Sequence, residues 1–292
     1  MTYHDAHRSF PCGLIRAIQY GSGYDCASAG SWHISIFPFI EMMAQYSQYS
    51  EAVYYYYNVD PYNNFAVLSP RYNAFTCPSD IKSVFNWSFA YGGVFEKHNY
   101  LGCNGNTGIY HGGGPIMTGW VKEIPEGSGF VRHRGALFRT SPYPGSADLY
   151  PLGDGDGVGA WGLYNSISSV QDGTSNTVGV SESIQDPDGS GIRGLIWFCS
   201  NSTFSAFRQP NTNEPDNVYN GLTGDSIRHP GTDELNVGTR QTAIVISARS
   251  NHTGGVNAGL IDGSVQFISN TVNIQTWRAY STTQGGESAS AL

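Results

Sequence analysis

The chain has 292 residues, of which 39% are hydrophobic and 13% charged, and its formal net charge is −8. It is long enough to bury a sizeable core, and a composition low in charge but rich in glycine (37) and tyrosine (19) is typical of a loop-rich, β-rich protein built for the cell exterior. The net charge is negative and lysine occurs only at Lys82, Lys97 and Lys122, which argues against a nucleic-acid partner. The sequence also contains no run of about 18 apolar residues that would encode a membrane span.

The first regular element is predicted after a glycine-rich start. In the stretch SWHISIFPFIEMMAQYSQYSEA, apolar residues such as Ile36, Ile40 and Met43 recur near i, i+3, i+4 and i+7. This period predicts one main amphipathic helix over about 33–50. Pro38 is expected in its first turn, where a missing backbone N–H is harmless. No other convincing helix is predicted.

The rest of the chain has the pattern of strands and turns. Short strands bounded by Gly, Asn, Asp or Pro are predicted over 176–183, 194–200, 241–250 and 263–269. Long loop insertions are predicted over about 53–70, 104–128 and 201–240. The sequence therefore predicts an α+β fold that is β-dominated, with an antiparallel sheet, one main helix and long loops, in a single domain of residues 1–292.

The C-terminal stretch SNHTGGVNAGLIDGSVQFIS places His252 upstream of the pair Asp262-Gly263. A zinc site would need further ligands, and catalysis would need a nucleophile and an orienting group. The local pattern favours a hairpin turn in which Asp262 accepts backbone N–H bonds and Gly263 takes a positive φ. His252 is then expected to bond a backbone carbonyl or that carboxylate.

A hydrolytic grouping is the enzymatic alternative. It would combine Ser175, Glu182 and His252, but no G-x-S-x-G elbow or other nucleophile motif supports it. We therefore expect no enzyme activity.

Calcium is the candidate cofactor. Asp154 and Asp156 in GDGDGVG, and Asp186 and Asp188 in DPDGSG, offer the oxygen ligands that calcium prefers. Neither pair completes an EF-hand loop, and ordinary Asp-Gly surface turns are the alternative.

The cysteines form no C-x-x-C pair, which argues against a zinc ribbon or a thioredoxin-type site. Their spacing permits the loop-closing disulfides Cys12–Cys26 and Cys77–Cys103, with Cys199 left over. Buried free thiols are the alternative.

Tyrosines are concentrated in the stretch VYYYYNVDPYNN. Aromatic side chains beside Asn and Asp are typical of a surface that stacks on sugars or contacts a protein, and inward packing is the alternative. The candidate contact residues are Tyr54, Tyr55, Tyr56, Tyr57 and Trp87. Candidate N-glycosylation sequons begin at Asn86, Asn201 and Asn251.

Several stretches occur in an order that resembles a known family. They are YHDAHRSFP, SWHISIFPFIE, CPSD, NYLGCNG, DGTSNTVGVSE, NHTGGVNAGLIDGSVQFIS and WRAYSTTQGGE. Together they resemble the bacterial prepilin-type surface proteins (type IV pilin or type II secretion pseudopilin-like) of unknown function. Members of that family carry a C-terminal H-x(9)-D-G motif, which His252, Asp262 and Gly263 fit.

The resemblance implies a pilin-like globular head. In such proteins an apolar N-terminal helix, preceded by a peptidase site, lies upstream of the first of these stretches. Here that stretch begins at Tyr3, so the pilin helix is absent from this chain. The chain would then be a piece of a longer protein, a mature form trimmed further than usual, or a subunit that assembles by another contact, such as a donated strand or loop.

We therefore expect a structural subunit of an extracellular, cell-surface filament, pilus or pseudopilus-like, that acts by self-assembly. Its main expected partner is another copy of itself, with glycans or the cell envelope as further candidates. The first alternative is a cell-surface module that binds glycans or another ligand. The second is a calcium-stabilised or hydrolytic domain.

Overall fold

The computed structural model describes residues 3–11, 13–16, 28–50, 53–54, 58–59, 64–87, 93–106, 109–110, 166–187, 189, 191–197, 202–216 and 243–283. Its α-helices are α1 (Tyr3–His7), α2 (Trp32–Ile36), α3 (Met43–Tyr46), α4 (Phe65–Leu68) and α5 (Ile274–Ala279). Its 3-10 turns are Phe37–Phe39, Asn73–Phe75, Ile167–Ser169 and Thr174–Asn176. None of the helices in these residues is long and apolar enough to cross a membrane.

The strands are short and spread along the chain. They are β1 (Leu14–Arg16), β2 (Ser28–Ser31), β3 (Val53–Tyr54), β4 (Asn58–Val59), β5 (Val84–Trp87), β6 (Gly93–Glu96), β7 (Tyr100–Cys103), β8 (Ile109–Tyr110), β9 (Val178–Glu182), β10 (Thr203–Phe204), β11 (Ala243–Ile244), β12 (Gly255–Leu260) and β13 (Val265–Ser269). Two-stranded sheets pair β1 with β2, β3 with β4, β5 with β6 and β8 with β11.

Within the described residues, the main sheet has five strands in the order β10-β7-β9-β12-β13. The pair β10–β7 is parallel, and every other neighbouring pair is antiparallel. The prediction of a β-dominated α+β fold is confirmed.

A hydrophobic cluster packs against the main sheet. Helix α5 contributes Trp277, which is fully buried with its ring centroid 6.1 Å from that of Phe204 in β10. The cluster also contains Leu101, Val178, Val256, Ala258 and Ile268. Full burial of each large apolar side chain contributes about 1.5–3 kcal/mol. A second cluster contains Trp32, Ile34, Phe37, Phe75, Phe95 and Trp197.

The prediction of one helix over about 33–50 is wrong. The structure has α2, a 3-10 turn that begins at Phe37, and then α3 after a break. Pro38 lies in the 3-10 turn, where it has no N–H to continue an α-helical ladder. Glu41 has a φ of 64°, which no α-helix accommodates. Pro38 therefore marks the end of the first helix rather than its start.

Three helices of the described residues lie where no helix was predicted, and one of them, α4, falls in the predicted loop over about 53–70. Helix α1 occupies part of the glycine-rich start. Helix α5 begins at an N-cap, Asn273, whose side-chain oxygen accepts bonds from the N–H groups of Gln275 and Thr276. That cap is a sequence signal for a helix start.

The strand predictions have mixed outcomes. Those over 176–183 and 263–269 are confirmed as β9 and β13. The one over 241–250 is reduced to β11. In 194–200 the described residues, 194–197, form a turn and a bend rather than a strand. Gly194 has a φ of 80°, and a Cβ there would lie 2.2 Å from the carbonyl oxygen of His98. The apolar residues that follow Gly194 are buried as an irregular segment rather than as a strand.

The segment 201–240 is not loop throughout. Residues 202–207 are buried, and β10 adds a strand to one edge of the main sheet. This burial was not predicted, because three of the buried residues, Ser202, Thr203 and Ser205, are polar.

Candidate functional site

Three side chains of different chemical type converge at the end of β9. The Sγ of Cys77, a carboxylate oxygen of Glu182 and a ring nitrogen of His252 all lie within 4.8 Å of one another. His252 Nε2 is 3.1 Å from Glu182 Oε1 and 3.6 Å from Cys77 Sγ. Cys77 and Glu182 are buried, whereas the His252 side chain is 31% exposed. The cluster therefore lies just below the surface, with the imidazole at its outer side.

The backbone and side chain of Asn257 orient the carboxylate. Glu182 is the last residue of β9, and its Oε2 accepts the Asn257 N–H at 2.8 Å from the neighbouring strand β12. The Asn257 side-chain amide donates to Oε1 at 3.3 Å. On the backbone, the Arg249 N–H donates to the Glu182 carbonyl at 2.8 Å. Glu182 is thus fixed by strand pairing and by hydrogen bonds to its carboxylate.

Asp80 fixes the other side of the cluster. Its Oδ2 accepts bonds from Asn99 Nδ2 at 2.6 Å and from the Gln185 N–H at 2.8 Å. Its Oδ1 accepts a bond at 2.6 Å from Nδ2 of Asn251, the residue before the histidine. Asn99 Oδ1 in turn accepts the Cys77 N–H at 2.9 Å. The segments that supply the thiol and the imidazole are therefore tied to one carboxylate.

The charges that face the thiol are negative. Burial raises the pKa of the Cys77 thiol, and the carboxylates of Glu182 and Asp80 raise it further against the opposing hydrogen bonds from Ser79. Burial also raises the pKa of Tyr100, again with contributions from Cys77 and Glu182. The cluster therefore holds a neutral thiol in surroundings that would favour a cation.

The geometry differs from that of a nucleophile–histidine–acid relay. In such a relay one ring nitrogen faces the nucleophile and the other faces the acid. Here Nε2 of His252 faces both Cys77 and Glu182. A single N–H cannot point at both groups, whereas a metal ion placed between the three atoms could contact all of them.

Residues 1–275 match the model of a family described as "Protein of unknown function (DUF1559)". The chain belongs to this family. Comparisons with curated proteins and with solved structures give no match. The DUF1559 match covers every residue of the cluster, and its description assigns no chemistry to it.

In this DUF1559 protein, His252 and Asp262 lie at opposite ends of β12, which separates them by about 20 Å at the usual rise per residue. Asp262 accepts bonds from the N–H and the hydroxyl of Ser264, and Gly263 has a φ of 89°. The turn prediction is confirmed. The expectation for His252 is wrong, because the strand between the two residues keeps it away from Asp262 and next to Glu182.

The hydrolytic grouping is brought together only in part. Glu182 and His252 are in contact, but Ser175 lies in the 3-10 turn Thr174–Asn176 before β9, at the end where the Asp262 N–H donates to the Thr174 carbonyl. Ser175 and His252 are therefore at opposite ends of the paired strands.

The predicted Cys77–Cys103 disulfide is wrong. Both residues are free and buried. Cys77 faces His252, while Cys103 is in the core cluster and its Sγ donates to the Ser281 carbonyl. Burial raises the pKa of Cys103 to about 12. The Cys12–Cys26 pair and Cys199 lie outside the described residues.

Among the predicted calcium ligands, Asp186 is the one whose place is described. It is fully buried, with Oδ1 2.5 Å from Arg193 Nη2 and Oδ2 3.4 Å from Lys97 Nζ. Cationic side chains thus contact both carboxylate oxygens of Asp186. Asp154, Asp156 and Asp188 lie outside the described residues, and calcium binding stays a prediction.

The contact and glycosylation predictions also stay predictions. Tyr54 and Trp87 belong to β3 and β5, while Tyr55, Tyr56 and Tyr57 lie outside the described residues. Asn86 is exposed in β5, the amide of Asn251 is engaged by Asp80, and Asn201 lies outside the described residues.

Sequence reasoning missed the cluster as a whole. It treated Cys77 as a disulfide partner and paired Glu182 with a distant serine. The available signal was the residue types, because a thiol, an imidazole and a carboxylate are the side chains that bind transition metals.

Proposed function

We propose that this chain is a non-enzymatic structural subunit of an extracellular, prepilin-type filament, and that it assembles through the outer edge of β13 against a second copy. The observation that carries the proposal is the exposed apolar face of that strand. The ordered stretches that resemble prepilin-type surface proteins support the filament class and the location.

The exposed face follows from strand alternation. Val265 is 69% and Phe267 54% exposed, and Ser269 lies on the same face. Ile268, on the opposite face, is buried in the core cluster. Large apolar side chains at alternate positions thus remain available for a partner.

The outer edge of β13 is also unprotected within the described residues. β13 pairs with β12 on one side, and no strand in the described part of the chain pairs with its other side. Edge strands are commonly protected by lysine, proline or a bulge. The sequence GSVQFIS has none of these residues, and its pairing with β12 is regular over 265–269.

A second copy is a compatible occupant, because GSVQFIS carries no charge that would repel a surface of the next copy, whose formal net charge is −8. Pairing of β13 with β13 would close a symmetric dimer. A filament instead requires β13 to meet a different surface on the next copy. We propose this open arrangement, in which β13 of one copy contacts a different surface of the next.

The cluster at Cys77 argues against one form of catalysis, a cysteine nucleophile. A nucleophilic cysteine needs a lowered pKa and an imidazole that bridges it to an acid. Burial instead raises the pKa of Cys77, and one ring nitrogen of His252 faces both neighbours.

The test is concentration-dependent assembly of the purified chain, followed by sedimentation and negative-stain microscopy. We compare the wild type with Phe267→Lys, which places a charge on the exposed edge, and with Met43→Lys, which places the same charge on α3, where Met43 is 56% exposed. The edge variant is expected to raise the concentration needed for assembly about tenfold or more, which corresponds to about 1.4 kcal/mol per contact. The α3 variant is expected to assemble like the wild type.

Particles that stop at dimers at every concentration would contradict the filament. Equal assembly by Phe267→Lys and the wild type would contradict the contact through β13. Circular dichroism confirms that each variant keeps its fold.

A further inference from the structure

We infer that Cys77, Glu182 and His252 form a binding site for a divalent transition-metal ion of the zinc class, with the fourth coordination position open to an exchangeable ligand such as water. This inference does not depend on filament assembly.

The separations of the ligand atoms fit a tetrahedral site. Bonds of about 2.0–2.3 Å to a central ion place neighbouring ligand atoms about 3.3–3.8 Å apart. The Cys77 Sγ to His252 Nε2 distance is 3.6 Å, and the His252 Nε2 to Glu182 Oε1 distance is 3.1 Å. The remaining separation is at most 4.8 Å, and a small rotation of a side chain would shorten it.

The types of ligand select the class of metal. A thiolate, an imidazole nitrogen and a carboxylate oxygen together suit zinc and its neighbours in the first transition series. Calcium and magnesium take oxygen ligands and do not favour sulfur. This site is therefore chemically different from the predicted calcium turns.

Local charge favours a cation at this point. The charged groups that act on Cys77 are the carboxylates of Glu182 and Asp80. Metal binding releases the proton of the thiol, and the resulting thiolate and the Glu182 carboxylate together carry two negative charges, which a divalent ion offsets.

The surrounding hydrogen bonds hold the ligands in place before any ion binds. Asn257 bonds both carboxylate oxygens of Glu182. Asp80, through Asn99, fixes the backbone of the cysteine, and through the amide of Asn251 it fixes the segment of the histidine. Such outer contacts orient metal ligands and raise affinity.

The partial exposure of His252 gives ions in solution access to the site. Cys77 and Glu182 are buried, but His252 is partly exposed, so an ion can arrive from the imidazole side. Three protein ligands leave one position of a tetrahedral ion unfilled. We place the exchangeable ligand there, on the solvent side.

The experiment uses the full chain, reduced and stripped with a chelator, then titrated with Zn²⁺ against a chromophoric competitor and separately with Co²⁺. We expect one ion per chain at this site, a sulfur-to-cobalt charge-transfer band, and the visible bands of tetrahedral cobalt. Calcium in excess is expected not to displace the cobalt.

The variants separate this site from other thiols and histidines. Cys77→Ser is expected to abolish the charge-transfer band. His252→Gln and Glu182→Gln are expected to weaken binding by about 100-fold or more, because loss of an outer contact alone costs about 10–100-fold. The controls Cys103→Ala and His7→Gln alter a thiol and an imidazole outside the cluster and are expected to bind like the wild type.

His252→Gln changes a partly exposed side chain and keeps the result interpretable if Cys77→Ser lowers stability. Equal affinity for the metal ion in His252→Gln and the wild type would overturn the inference. A cobalt spectrum without a sulfur-to-cobalt band would also overturn it. Loss of that band in Cys103→Ala but not in Cys77→Ser would do the same.

Discussion

Asp262 and His252 lie at the two ends of β12, and each is held by different neighbours. Asp262 is exposed, and its Oδ1 accepts bonds from the N–H of Ser264 at 2.9 Å and from its hydroxyl at 2.6 Å. His252 contacts Cys77 and Glu182 instead. One residue therefore closes a turn by local bonds, and the other joins a cluster built from distant parts of the chain.

Replacement of Asp262 tests the turn. Hydrogen bonds from the side chain and backbone of Ser264 lower the pKa of Asp262. A carboxyl whose folded pKa is lowered stabilises the fold above its unfolded pKa, and this contribution is lost as the pH falls. We therefore expect Asp262→Ala to lower the melting temperature at neutral pH. The difference in melting temperature from the wild type is expected to become smaller below pH 3.8, the ordinary pKa of this carboxyl.

Asp262→Asn is the control, because it keeps a side-chain oxygen in place to accept the Ser264 N–H. It is expected to melt between the wild type and the alanine variant at neutral pH. If the difference in melting temperature between the wild type and Asp262→Ala becomes larger in acid, this account of the turn is contradicted.

The same two residues show what a sequence can establish about a site. The turn was predictable because Asp, Gly and Ser interact within a few residues. The cluster was not, because Cys77 and His252 are 175 residues apart and Glu182 is 70 residues from His252. Proximity of that kind depends on the pairing of β9 with β12, which local patterns do not specify.

At the scale of elements, β12 and β13 form the hairpin that presents the exposed edge. Their pairing is regular from Gly255 opposite Ser269 to Gly259 opposite Val265. The Asp-Gly turn and β13 were predicted from local signals, whereas β12 was not, because the strand predicted over 241–250 ends before Gly255. The break in the helix predicted over 33–50 was missed, because the apolar period continues through Pro38 and through Glu41, which has a positive φ.

The two glycines of β12 offer a matched test of this hairpin. A Cβ on Gly255 would lie 2.1 Å from the Ile268 carbonyl oxygen and 2.8 Å from a ring carbon of Phe267, whereas a Cβ on Gly259 would meet only the Val180 carbonyl oxygen at 3.9 Å. We expect Gly255→Ala to lower the free energy of unfolding by about 1–3 kcal/mol, as overpacking does. Gly259→Ala is expected to stay within about 0.5 kcal/mol of the wild type.

Urea unfolding followed by circular dichroism measures both variants. Equal stability of the two alanine variants would show that β13 does not approach β12 as closely at Gly255 as the structure places it.

At the scale of the whole molecule, a buried network of charges joins segments far apart in the chain. Arg193 contacts Asp186 at 2.5 Å and Asp216 at 3.2 Å. Lys97 is 3.4 Å from Asp186, and Arg249 is 3.0 Å from Asp216. The network continues into the cluster, because the Arg249 N–H donates to the carbonyl of Glu182. The network is therefore linked to the proposed metal site through the backbone of Arg249 and Glu182.

The two carboxyls of this network have pKa shifts in opposite directions. Burial raises the pKa of Asp186 more than Arg193 and Lys97 lower it. Burial would also raise the pKa of Asp216, but Arg249 and Arg193 outweigh it and lower the pKa. Asp216 therefore stabilises the fold above its unfolded pKa, and this contribution is lost as the pH falls.

Asp216→Asn tests whether the network stabilises the fold. The amide keeps the shape and can still accept the Ser247 N–H, but it removes the negative charge beside Arg193 and Arg249. Loss of one partner of a buried ion pair costs about 3–5 kcal/mol, so we expect a loss of this size in the free energy of unfolding at neutral pH. The difference in the free energy of unfolding between the wild type and Asp216→Asn is expected to become smaller in acid, where the wild-type carboxyl also becomes neutral.

Glu96→Gln is the matched control, because it makes the same chemical change in the partly exposed pair with Arg71. Such pairs contribute about 0–1 kcal/mol, and the control is expected to remain in that range. Urea unfolding across a pH series measures both variants. If Asp216→Asn costs no more than Glu96→Gln, or if its loss widens in acid, the network does not stabilise the fold in the way its geometry indicates.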